Sequence, residues 1–151
     1  MKPLALAISF VAAAALPLSA SATSQTTTLK LVEVTTFEKL VVDSPPLQRS
    51  KNEPFTPGDV IAGRSKLLNG SKLVGGADFF GVVTAFPRFE FYGTFTLPGG
   101  TVSIVAVGNF AAHAQTFAIV GGTGRYTSAR GTDREQQLAE GKSLDTFTIT
   151  T

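Results

Sequence analysis

The chain has 151 residues, a formal net charge of +2, 16% charged and 43% hydrophobic residues, and no cysteine. Scattered charge near neutrality leaves no footprint for nucleic acid or an anionic membrane, and the lack of cysteine excludes disulfides, thiolate nucleophiles and cysteine metal sites. One histidine, with no carboxylates at calcium-loop spacing, supplies no typical metal centre.

At the N-terminus, Lys2 precedes an apolar run from Leu4 to Leu16 and small residues ending Ala20-Ser21-Ala22. This is the pattern of a secretory signal peptide cleaved after Ala22. Pro17 and the polar residues after it stop the run short of the ~20 residues a membrane span needs. Residues 1–22 are therefore expected to be a leader. Residues 23–151 are expected to form a single secreted domain of net charge +1, suited to a largely uncharged ligand.

The remainder reads as short alternating runs punctuated by glycine and proline, the signature of an all-β chain. Thr27 to Val34 is the first predicted strand. A proline-rich stretch from Asp43 to Pro57 is a long loop, because proline removes ladder donors. Gly58 to Leu68 and Leu73 to Phe86 are predicted strands joined at Asn69-Gly70, a preferred hairpin pair that also begins a glycosylation sequon with Ser71. Arg88 to Leu97 alternates: Phe89, Phe91, Gly93, Phe95 and Leu97 share one face, and Arg88, Glu90, Tyr92, Thr94 and Thr96 the other. Strands from Thr101 to Phe110, Thr116 to Val120, Tyr126 to Gly131 and Ser143 to Thr150 follow, with a short helical turn possible over Glu135 to Ala139.

Between the sixth and seventh of these lies Gly121-Gly122-Thr123-Gly124, which resembles a phosphate loop. A dinucleotide site needs a helix opening at the glycines within a βαβ unit, and here Tyr126-Thr127-Ser128 suits a strand. The glycines are read as a sharp backbone corner.

About eight strands with short connections favour an eight-stranded antiparallel β-barrel of calycin type, with a β-sandwich as the alternative. Eleven of the twelve phenylalanines follow residue 22 and supply apolar lining.

With the strands placed, Phe91-Tyr92-Gly93, Gly100 to Ile104, Gly108-Asn109 and Val120 to Gly131 form an ordered series of motifs. The series resembles the dirigent proteins and, more distantly, the allene oxide cyclases. Leu31-Val32-Glu33-Val34 and Pro57-Gly58-Asp59-Val60-Ile61 resemble the first and second strands of the cyclases. The resemblance implies a closed barrel, a homotrimer, no redox cofactor, and cyclisation or stereoselective coupling of a small apolar or phenolic ligand. The chain departs from the cyclases at Thr35, where they carry asparagine, and at Gly81, where they carry cysteine. It also lacks the His-Asp pair of plant dirigents.

Two residues are candidate catalytic groups. Glu33, if inward between Leu31 and Thr35, would be desolvated and its pKa raised, which suits proton transfer. Arg130, sharing a face with Tyr126 and Ser128, matches by resemblance an arginine that lies in the dirigent cavity, where a guanidinium can bind an oxyanion. Asp78, Tyr92, Asn109 and Tyr126 are candidate ligand-binding residues, with Arg130 a plausible partner for Asp78. His113 has no nucleophile elbow to serve, which argues against a hydrolase. A carrier without turnover and a barrel filled by its own phenylalanines are the rival readings.

Overall fold

The computed structural model describes residues 24–42 and 54–151. The expected leader and most of the proline-rich loop lie outside the described residues. Eight strands form the domain: β1 (Thr26–Val42), β2 (Val60–Asn69), β3 (Lys72–Ala85), β4 (Arg88–Leu97), β5 (Gly100–Asn109), β6 (Ala114–Gly122), β7 (Arg130–Ala139) and β8 (Lys142–Thr150). Each pairs antiparallel with its neighbour in sequence, and β8 returns to β1, so the sheet is a closed up-and-down barrel rather than a sandwich. Among the described residues no helix is long and apolar enough to cross a membrane.

Closure depends on the length of β1. Its first half pairs with β8 from Thr26 to Val34, and its second half pairs with β2 from Val32 to Val42. A 17-residue strand can overlap both partners because a bulge between Thr35 and Phe37 turns it from one to the other. Every strand thus has a neighbour on both sides, and none is an edge along its whole length.

The connections define two ends. At one end the β4–β5 turn, the β6–β7 crossing and the outer ends of β1 and β8 come together over a packed core. Leu67, Phe95, Val102, Ile104, Phe147 and Ile149 are almost wholly buried there, and Phe95 meets Phe147 edge-to-face at 5.0 Å. Such an aromatic pair contributes about 1 kcal/mol beyond its buried area.

The glycine-rich corner belongs to this closed end, and its local structure differs from the expected strand. Residues 124–126 form a single 3-10 turn, which drives the Tyr126 side chain into the core. The Tyr126 hydroxyl donates to Pro98 O at 3.4 Å, and Arg125 covers the ring from outside. Gly124 is required on two counts: its φ is +59°, and a Cβ there would overlap Gly99 O.

Strand β7 therefore begins at Arg130 and continues to Ala139, so Glu135 to Ala139 is extended and not a helical turn. Pairing of β7 with β6 and β8 on both sides overrides the local helix propensity. The β2–β3 turn is Gly70-Ser71, with Asn69 paired to Lys72 as the last rung of the ladder.

At the opposite end, Asp59 latches the start of β2. Its buried carboxylate accepts from Thr56 N at 2.9 Å and Thr56 Oγ1 at 3.2 Å, and its carbonyl accepts from Val83 N. Ile61, Val83 and Phe89 are buried at this end, but the side chains leave a space between the strands.

Candidate functional site: a carboxyl-lined cavity

Period-two alternation aims every second residue of each strand into the barrel. At the packed end those residues are apolar, aliphatic and aromatic together. Toward the open end they are Glu33 and Thr35 on β1, Phe79 and Gly81 on β3, Phe89 and Phe91 on β4, Phe117 on β6, Asp133, Glu135 and Gln137 on β7, and Ser143 and Asp145 on β8. They enclose a cavity of about 260 Å³, close to the lower bound for small-molecule sites.

The cavity has two unlike walls. Strands β3, β4 and β6 contribute phenylalanines: Phe91 stacks with Phe79 at 5.6 Å and with Phe117 at 5.1 Å. Inward glycines make room for these rings; a Cβ on Gly63 would overlap Phe79. The adjacent strands β7, β8 and β1 contribute four carboxyl groups. Near the mouth, Phe110 stacks on Phe89 at 4.3 Å and on Phe55 at 5.0 Å, and His113 and Lys142 line the rim.

The carboxyls are held in an environment that disfavours charge. Asp133 is fully buried, and neither of its oxygens has a hydrogen-bond partner in the protein. Burial, with the charges of Glu33 and Glu135, pushes it up to about 8. Asp145 is pushed up to about 10, first by burial and then by Glu33 and Asp133 beside it. Its Oδ1 accepts from Ser143 Oγ at 3.4 Å, while Oδ2 has no partner. Glu135 rises to about 7, by burial and by the Glu33 charge. Glu33 is also raised by burial; Ser65 and Asp145 face it without a well-formed hydrogen bond but near enough to favour its charged form in part. At neutral pH the wall therefore holds both neutral acids and groups close to their titration point, a mixture that can give or accept protons. Among the described residues no group of histidine, aspartate or glutamate is set closely enough to hold a metal ion.

Of the residues singled out from the sequence, Glu33 faces the cavity, as the parity of Leu31 and Thr35 requires. Arg130 does not. Because β7 begins there and its odd-numbered residues point inward, Arg130 is exposed, and its Nη1 donates to Val120 O at 3.1 Å and Ala129 O at 2.7 Å. Asp78 lies on the outer face, paired with Arg64 at 2.8 Å and not with Arg130, with both side chains about two-thirds exposed. Tyr92 is also on the outside, stacked on Phe80 at 4.9 Å. Asn109 shapes the β5–β6 turn: its Oδ1 accepts from Ala111 N, and its own N–H donates to Gln115 Oε1. Tyr126 plugs the closed end.

The sequence reading did not pick out Asp133, Glu135 and Asp145. Asp145 had a usable signal, because it shares parity with Phe147 and Ile149 in a strand that was expected. Asp133 and Glu135 were hidden by the misplacement of β7.

No protein-family model and no curated protein sequence matches the chain. Solved structures do match its fold. The pterocarpan synthase dirigent protein GePTS1 superposes with a TM-score of 0.65 at 24% identity, over 86% of each chain. AbnU, an exo-specific intermolecular Diels-Alderase, superposes at 0.68 with 10% identity, over 86% of this chain and all of its own. A pyocyanin demethylase superposes at 0.66 with 18% identity, over 81% of this chain and 99% of its own. The protein thus has the barrel architecture of dirigent proteins and of cycloaddition cyclases.

Proposed function

We propose that the protein is a secreted barrel, cleaved after Ala22, that holds a small organic molecule in its cavity and guides that molecule's cyclisation or stereoselective coupling. The observation that carries this reading is the juxtaposition of an aromatic wall with buried, protonatable carboxyls around one cavity. A flexible or reactive molecule packed against Phe79, Phe91 and Phe117 loses conformational freedom before bond formation, which is where a shaped cavity accelerates an intramolecular step. Glu33, opposite, can move a proton or balance charge as the bond forms, with Asp145 buried behind it. The names of the structural neighbours, a pterocarpan synthase dirigent protein and a Diels-Alderase, agree with this class of chemistry.

The test is to incubate the purified barrel with tethered diene–dienophile substrates and with phenolic alcohols that close through a quinone methide, following rate and product stereochemistry. Acceleration or stereochemical bias that is lost in Glu33→Gln supports guided cyclisation. Retained binding with a racemic, uncatalysed product mixture would instead make the protein a carrier.

A homotrimer forms part of the same reading. The outer faces of β3 to β6 present the Phe80–Tyr92 stack together with Val107 and Val120, all more than 40% exposed. Burying such a face against a second copy would remove an apolar surface from water.

A further inference from the structure

The interior charge of the cavity is one-sided. Four carboxyls project from β1, β7 and β8. The inward groups of β2 (Ile61, Gly63, Ser65, Leu67), of β3 and β4, and of β6 (Gln115, Phe117, Ile119) carry no charge to offset them. Lys142, His113 and Glu38 stand at the rim, and the one arginine expected inside, Arg130, lies on the outer surface. Fully buried polar groups ordinarily have partners, yet both oxygens of Asp133, one oxygen of Asp145 and the Ser65 hydroxyl have none. These atoms sit behind the cavity surface, Asp133 and Asp145 being almost wholly buried, so Glu33 and Glu135 are the carboxyls that the open space itself reaches. Across the cavity stand the faces and edges of Phe79, Phe89, Phe91 and Phe117. Aromatic faces attract cations and not anions, and a cation between carboxylates and phenyl rings is favoured from both sides.

Resting on the cavity-ligand reading above, we propose that the ligand is a small organic cation bearing a ring, such as an alkylated or protonated amine or nitrogen heterocycle. Its charge is met by Glu33 and Glu135, with Asp133 and Asp145 buried behind them, and its body by the phenylalanine wall. The cavity volume suits one or two rings. In the empty barrel the carboxyls keep protons because burial and mutual repulsion disfavour their charged forms. An incoming cation reverses that balance, and for each carboxyl ionised against it one proton leaves to solvent. Binding should therefore strengthen as pH rises from 6 to 8, by up to about tenfold per pH unit for one proton released. A ligand that only accepts hydrogen bonds from the protonated acids would show the opposite trend.

Three shape-matched probes test the inference: meta-hydroxyphenyltrimethylammonium, its neutral isostere meta-tert-butylphenol, and the anion meta-hydroxybenzoate. Each is titrated into the full barrel by calorimetry in two buffers of different ionisation enthalpy at pH 6, 7 and 8. The expected result is binding of the cation about tenfold or more tighter than the neutral isostere, with buffer-dependent heat that reports proton release. Glu33→Gln/Glu135→Gln should abolish that preference while retaining the weaker neutral binding. Because the double variant removes two carboxyls from the barrel wall, its fold is checked by circular dichroism, and Glu33→Gln alone serves if the pair does not fold. Equal or tighter binding of the neutral probe, or affinity that falls with pH, would overturn the charge assignment and leave the cavity reading standing. A cation preference that survives both substitutions would place the site elsewhere and overturn the inference. Failure of all three probes to bind at millimolar concentration would overturn the inference and the cavity reading together.

Discussion

Replacing Asp133 by asparagine should make the protein more stable at neutral pH, the reverse of the usual outcome in a packed interior. Asp133 is fully buried, and its carboxyl is pushed from 3.8 up to about 8. Between those values the folded state binds more protons than the unfolded state. Its contribution to stability is therefore complete below pH 4 and is lost as pH rises toward 8. From pH 3.8 to pH 7 the penalty accumulates over about three pKa units, or about 4 kcal/mol. Water entering the open cavity around an ionised carboxylate reduces it, leaving about 2 kcal/mol as the expected gain for Asp133→Asn at pH 7. That gain corresponds to a Tm rise of about 5–10 °C for a domain of this size. Urea unfolding of both proteins from pH 4 to pH 9 provides the measurement. The curves should nearly coincide at pH 4 and diverge as the wild type loses stability. A variant no more stable than wild type at pH 8, or a wild-type stability that is flat or rising between pH 4 and 8, would refute the reasoning.

Glu33→Gln removes the charge that helps to raise Asp133, Glu135 and Asp145, so the titration midpoints of all three should move down in carbon-detected NMR of the carboxyls. Gly124→Ala places a Cβ against Gly99 O at a left-handed φ and should destabilise the closed end by about 2 kcal/mol or more, as read by denaturant titration. Arg130→Ala should leave probe binding within about twofold of wild type and cost no more than about 1 kcal/mol, since its hydrogen bonds go to backbone carbonyls away from the cavity. A tenfold loss of binding would instead return Arg130 to the site. Phe80→Ser combined with Tyr92→Ser should shift a trimer to monomer in light scattering, and an unchanged mass would remove the β3–β6 face as the interface.

Strand positions were legible wherever a strand carried its own punctuation. In β4, the alternation of Phe89, Phe91, Phe95 and Leu97 against Glu90, Tyr92 and Thr94 leaves a single register that buries the phenylalanines, and the structure adopts it. The inward position of Glu33 follows from the same rule. β7 was not legible, because Asp133, Arg134, Glu135, Gln136 and Gln137 carry no apolar periodicity. Their inward set is polar, so the usual hydrophobic marker of strand facing is absent precisely where the cavity is built. The resemblance to dirigent proteins anticipated the barrel, but carrying Arg130 into the cavity required Tyr126 to lie in the same strand. The 3-10 turn at Gly124 breaks that continuity.

Local chemistry, then, was enough to specify an all-β chain, its hairpins and a barrel-sized set of strands, because alternation and glycine placement act within a few residues. Which carboxyls share one space was decided only by closure. The meeting of β1 with β8 brings Glu33 beside Asp145, and the pairing of β7 with β8 adds Asp133 and Glu135, groups as far as 112 positions apart in the chain. Their mutual repulsion and desolvation, and hence the protonation of the cavity wall, exist only once those strands meet and bury the groups together.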